Sequence, residues 1–95
     1  MSISCATAGN RLHVAIVYDG AVRHRTREPN GVWTPWGTIT PPEGHEFVEV
    51  ACACSGDVLH IVMRDANDLY FHDIRAANGQ WQGTAQLPDQ PLAGG

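Results

Sequence analysis

The 95-residue chain has no lysine: all six of its basic residues are arginines, set against ten acids for a formal net charge of −4. The absence of lysine excludes Schiff-base chemistry. The acidic balance lacks the basic footprint through which proteins neutralise nucleic-acid phosphates, so no nucleic-acid partner is expected. Cysteine is also scarce. Cys5, Cys52 and Cys54 are odd in number and irregular in spacing, which does not make the disulfide framework of a small secreted scaffold, and all three are expected to be reduced and largely buried. No run of about 18 apolar residues occurs, so no membrane span is expected. The segment Met1 to Ser4 shows no basic region followed by an apolar stretch. A cytoplasmic or non-classically secreted location is the corresponding expectation.

What the chain does contain is a repeat. Cys5, Ala6, Gly9, Leu12 and His13 recur 47 positions later as Cys52, Ala53, Gly56, Leu59 and His60. His24, Arg27, Asn30, Gly31 and Trp33 recur 48 positions later as His72, Arg75, Asn78, Gly79 and Trp81, which places a one-residue insertion near Asp65. A period of this length is that of a four-stranded β-propeller blade. The chain therefore reads as one all-β domain, 1–95, made of two blade repeats of about 1–46 and 47–95.

Turn signals cut each repeat into four strands. Gly9-Asn10, Asp19-Gly20 and Asn30-Gly31 separate 3–8, 12–18, 21–27 and 33–39; Gly56-Asp57, Asn67-Asp68 and Asn78-Gly79 separate 47–55, 59–64, 69–75 and 81–87. The first strand of each repeat is built of small residues, which suits a crowded axis. The second is nearly continuous in apolar residues, as in a strand covered on both faces. The third, in the first repeat, sets Val22, His24 and Thr26 on one face against Arg23, Arg25 and Arg27 on the other. The fourth carries Pro35, which belongs on a sheet edge because it cannot donate to a ladder.

Candidate chemistry is sparse. Cys52-x-Cys54 with His60 is a poor zinc set, because structural zinc takes four ligands from paired knuckles, and no metal or cofactor is expected. A Cys-His nucleophile lacks an orienting third group, and no carboxylate pair for glycoside hydrolysis stands out. The chain is not expected to be an enzyme. Trp33, Trp36 and Trp81 are different: each lies beside an Asn-Gly turn, and the C–H face of a sugar stacks on indole while nearby Arg or Asp groups fix hydroxyls. The candidate ligand-binding residues are thus Trp36, Trp33 and Trp81 for stacking, with Arg23, Arg25 and Asp73 for polar contacts. For Trp33 and Trp81, which recur, packing between blades is the competing reading.

The run from Leu12-His13-Val14 through Asp19-Gly20, His24, Gly31-Val32-Trp33 and Trp36-Gly37 resembles a family of bacterial propeller repeats called tectonin-like. In these a core strand leads to an Asp-Gly turn, a strand with His, and a Trp-x-x-Trp/Phe-Gly rim strand. The second repeat departs from that pattern, with Thr84 where Trp36 would recur and Asn67-Asp68 in place of Asp-Gly. The resemblance implies a lectin with shallow sites between blades and glycans as partners, or, alternatively, a propeller platform for protein–protein contact. Two blades leave apolar sheet faces bare, and propellers close with about 4–8 blades, so a homo-oligomer is expected, a six-bladed homotrimer above all.

Overall fold

A computed structural model of the chain describes residues 2–87. Its eight strands are β1 (Ile3–Ala8), β2 (Arg11–Tyr18), β3 (Ala21–Arg27), β4 (Gly37–Ile39), β5 (Phe47–Ser55), β6 (Val58–Asp65), β7 (Tyr70–Arg75) and β8 (Ala85–Gln86). They form two four-stranded antiparallel meanders, β1-β2-β3-β4 and β5-β6-β7-β8, and the described residues include no helix. Residues 88–95 of the second repeat lie outside the described residues.

The turns explain the meander. Gly9 and Asn10, and Asp19 and Gly20, each have positive φ at both turn positions, the backbone of a type I′ hairpin whose twist matches that of its strands. Gly20 has a second constraint. A Cβ there would stand 2.7 Å from Glu46 Cγ, because the segment linking the sheets passes over this turn, and the Phe47 amide donates to the Gly20 carbonyl. The Asn-Gly turns work differently. Asn30 and Asn78 accept through Oδ1 from the amides of Val32 and Gln80, and only the following glycines take positive φ. The one-residue insertion lies where the sequence indicates. Between β6 and β7, fully buried Asp65 accepts the Asn67 and Leu69 amides on Oδ1, and its Oδ2 lies 2.7 Å from His45 Nδ1.

The two sheets repeat each other in register. Cys5 faces Val14 and Val14 faces Arg25, just as Cys52 faces Ile61 and Ile61 faces Asp73. The sheets stack on each other, burying Ala15, Val22 and Ile39 of the first against Phe47, Val50, Leu59, Ile61, Met63 and Phe71 of the second. At the inner side β1 lies along β5, and serine hydroxyls replace ladder partners: Ser2 Oγ accepts the Val50 amide at 3.0 Å and Ser4 Oγ the Cys52 amide at 2.9 Å. The small residues of the first strand therefore bring a hydroxyl against otherwise unpaired amides of a neighbouring edge strand.

Two expectations change. The fourth strands are short, because each is interrupted by a bulge. Thr34 donates its amide to Thr26 while Gly37 pairs with His24, so Pro35 and Trp36 both stand opposite Arg25. Gly83 and Thr84 stand opposite Asp73 in the same way, and isolated bridges join Arg27 to Trp33 and Arg75 to Trp81. The cysteines are free thiols, but Cys5 is exposed, and Cys52 and Cys54 are half-buried rather than enclosed. Cys5 is bare because it points to the side of β1 away from the second sheet, whereas its counterpart Cys52 points toward the first.

Candidate functional site

The bulge opposite the middle of the third strand is built twice from different residues. In the second sheet Asp73 is 4% exposed, and its carboxylate accepts the Gly83 and Ile74 amides and the Thr84 hydroxyl. The first sheet has Pro35 where the second has Gly83, so there is no amide to satisfy, and the residue beneath is Arg25 instead of Asp73. Arg25 donates from Nε to the Thr34 carbonyl at 3.0 Å. Its guanidinium carbon stands 5.2 Å from the Trp33 ring centre and 4.9 Å from that of Trp36, within cation–π range of both indoles. The exchange of Asp for Arg, Gly for Pro and Thr for Trp converts a structural clasp into an aromatic surface feature. Sequence reasoning put Asp73 among ligand contacts; in the fold both its oxygens accept hydrogen bonds that hold the bulge.

Beside this cluster a groove of about 320 Å³ is lined by Ile16, Tyr18, Arg23 and Trp36. Trp36 is 46% exposed and Tyr18 62%. Arg23 donates from Nη1 to the Thr38 hydroxyl at 2.9 Å, and its guanidinium carbon lies 5.8 Å from the Tyr18 ring centre, but its buried Nε has no partner. Trp36, Trp33, Arg25 and Arg23 are thus brought to one side of the first sheet. Trp81 is elsewhere. It packs edge-on against His24 across the junction between the sheets, at 5.2 Å and 86°. Tyr18, which sequence reasoning missed, lies at the end of β2; its exposed position beside an Asp-Gly turn was the available signal.

The repeated histidines are the second polar feature. His13 Nδ1 and His24 Nε2 are 2.9 Å apart with stacked rings, and His60 Nδ1 and His72 Nε2 are 3.2 Å apart in the same arrangement. Within each pair one ring nitrogen donates to the other, the direction being set by the tautomers. The first pair is enclosed by the second sheet, with His13 2% and His24 7% exposed, whereas His60 and His72 are only half-buried. Burial, the neighbouring His13 and the Arg75 guanidinium lower His24 to about 4. Burial and the charges of Arg75 and Arg11 also push His13 below its ordinary value.

Burial raises the pKa of the Asp65 carboxyl, but the His45 ring and the Leu69 and Asn67 amides outweigh that effect and hold it below the ordinary carboxylate value. Among the described residues no group of three or more His, Cys, Asp or Glu side chains converges as a metal site, and no helix is long and apolar enough to cross a membrane. No protein-family model, curated protein or solved structure matches the chain.

Proposed function

We propose that the chain is a carbohydrate-binding protein whose two sheets are β-propeller blades, with three copies completing a six-bladed ring. The observation that carries the ligand reading is the groove of Trp36, Tyr18 and Arg23. It combines the exposed aromatic surface of Trp36 and Tyr18 with the guanidinium of Arg23 in one lining. A pyranose presents an apolar C–H face and a rim of hydroxyls. It stacks on Trp36 while a ring or hydroxyl oxygen accepts from Arg23. Arg25 supports this from below by holding the indoles of Trp33 and Trp36 on its guanidinium, so the stacking surface is pre-organised and little side-chain entropy is lost on binding. The groove lies on the outward side of the first sheet, so in a closed ring the next blade supplies its other wall. Three such sites per ring gain avidity without stronger single contacts. The chain acts by binding and carries out no catalysis.

A glycan array probed with the wild type and with Trp36→Ala tests the reading. Binding to a defined set of sugars, weakened at least tenfold (about 1.4 kcal/mol) by the substitution, is the expected result. Arg23→Ala should weaken the same set. The open sheet faces favour a second reading, a propeller platform for protein contact, and a silent array together with a stoichiometric co-purifying protein would replace the first reading with it.

A further inference from the structure

The two sheets stack in the same orientation, and this makes their outward faces complementary to each other rather than to themselves. On β2 the residues His13, Ala15 and Val17 face the second sheet, while Leu12, Val14 and Ile16 face away. On β6 the positions exchange. Leu59, Ile61 and Met63, the counterparts of Leu12, Val14 and Ile16, face the first sheet, and His60, Val62 and Arg64, the counterparts of His13, Ala15 and Val17, face away. The third strands follow suit: Phe71, Asp73 and Arg75 point inward where Arg23, Arg25 and Arg27 point outward. The bare face of the first sheet is therefore the repeat counterpart of the surface that the second sheet buries. The bare face of the second is the counterpart of the surface that the first buries.

We propose that a second copy of this chain occupies the bare face of the second sheet, docking head to tail through the bare face of its own first sheet. This rests on the propeller reading above and specifies its contacts. The junction within the chain is the template. There Trp81 meets His24 edge-on and Arg75 acts on the His13–His24 pair. Between copies the corresponding contacts are Trp33 on His72 and Arg27 beside His60 and His72. At the centre of the template, Ala15 and Met63 are fully buried. Their counterparts Val62 and Ile16, both half-buried in the single chain, would meet there.

Charge agrees with this pairing. β3 puts Arg23, Arg25 and Arg27 on the first bare face, and among the described residues none of the three makes an ion pair. The second bare face carries Glu49 and Asp68 against the single cation Arg64, which pairs with both. Two first faces would repel each other, whereas a first and a second face attract. The copy is imperfect at one place. Ala51 stands where Ser4 caps the Cys52 amide, so the Cys5 amide of the docked copy receives no hydroxyl. A heterologous junction of this kind closes into a ring when its rotation divides the circle.

The test uses two variants, each broken on one face: Ile16→Glu on the first and Val62→Glu on the second. Native mass spectrometry of the wild type should give the mass of three chains. Each variant alone should give a single chain of 10.3 kDa. An equimolar mixture should give a species containing one of each, because each retains the face that the other lacks. Formation of the mixed species also shows that both variants fold. Self-association of either variant through its intact face, or a mixture that stays monomeric while the wild type assembles, overturns the head-to-tail docking and the three-copy ring with it, and leaves the sugar-binding reading to the glycan array. A monomeric wild type overturns both. If the glutamate variants fail to fold, Trp33→Ala and His72→Ala serve instead, since both residues reach the surface. Each should raise the dissociation concentration about tenfold, with the double variant little worse than either single one. Additive effects would overturn the contact.

Discussion

At the scale of single residues, identical side chains acquire different properties from the sheet that covers them. His24 and His72 hold the same place in the repeat, yet only His24 is enclosed. Its pKa, lowered by burial, His13 and Arg75 to about 4, makes the folded state the weaker proton acceptor. The unfolded chain takes up a proton near pH 6.5, so stability is full above that value and is lost as the pH falls toward 4, with His13 adding in the same direction. Thermal melts between pH 7 and pH 5, above the range in which most carboxylates titrate, should show a falling midpoint, by about 4–8 °C for each kcal/mol lost. A midpoint that does not move over this interval would contradict the enclosed, neutral pair. The sequence displayed the histidines as repeat markers, but their pairing across β2 and β3 depends on register, and their neutrality depends on which sheet lies over them. Neither can be read from spacing alone.

At the scale of elements, the hairpins were legible because the Asp-Gly and Gly-Asn turns specify their own backbone, and the inner three strands of each sheet follow from them with bounds within a residue or two. The fourth strands were not. Their apolar and small residues look continuous from 33 to 39, but the register shifts by one opposite Arg25, and Pro35 marks the place without revealing it. The bulge in the second sheet depends on Asp73. Replacement by alanine leaves the Gly83 and Ile74 amides and the Thr84 hydroxyl without their carboxylate. The expected cost is about 2–3 kcal/mol, because hydrogen bonds to a buried charge are lost and their donors are left behind. Urea unfolding of Asp73→Ala checks this. Asp73→Asn, which keeps one acceptor oxygen, should recover part of the loss, and an unchanged midpoint in both would show that the bulge holds without the carboxylate.

At the scale of the whole molecule, the alternation of Val22, His24 and Thr26 against Arg23, Arg25 and Arg27 was visible in the sequence, but not which side of each sheet the other would cover. That information lies in the stacking, and it separates the three thiols. Cys52 and Cys54 lie between the sheets, and burial raises both above the ordinary thiol value, the two neighbouring cysteines adding to the effect on Cys52. Both should react slowly with a thiol reagent at any protein concentration, since the thiolate is the nucleophile. Cys5 is exposed on the first bare face, where a docked second copy would cover it as the first sheet covers Cys52. Its labelling should therefore depend on concentration: one thiol per chain reacts fast in dilute protein and becomes protected as the ring assembles, while the other two stay slow throughout. Alkylation followed by peptide mass analysis across a dilution series reads this directly. Fast labelling of Cys5 at concentrations where native mass spectrometry shows three chains would mean that the assembly leaves this face bare, and that the copies meet through some other surface.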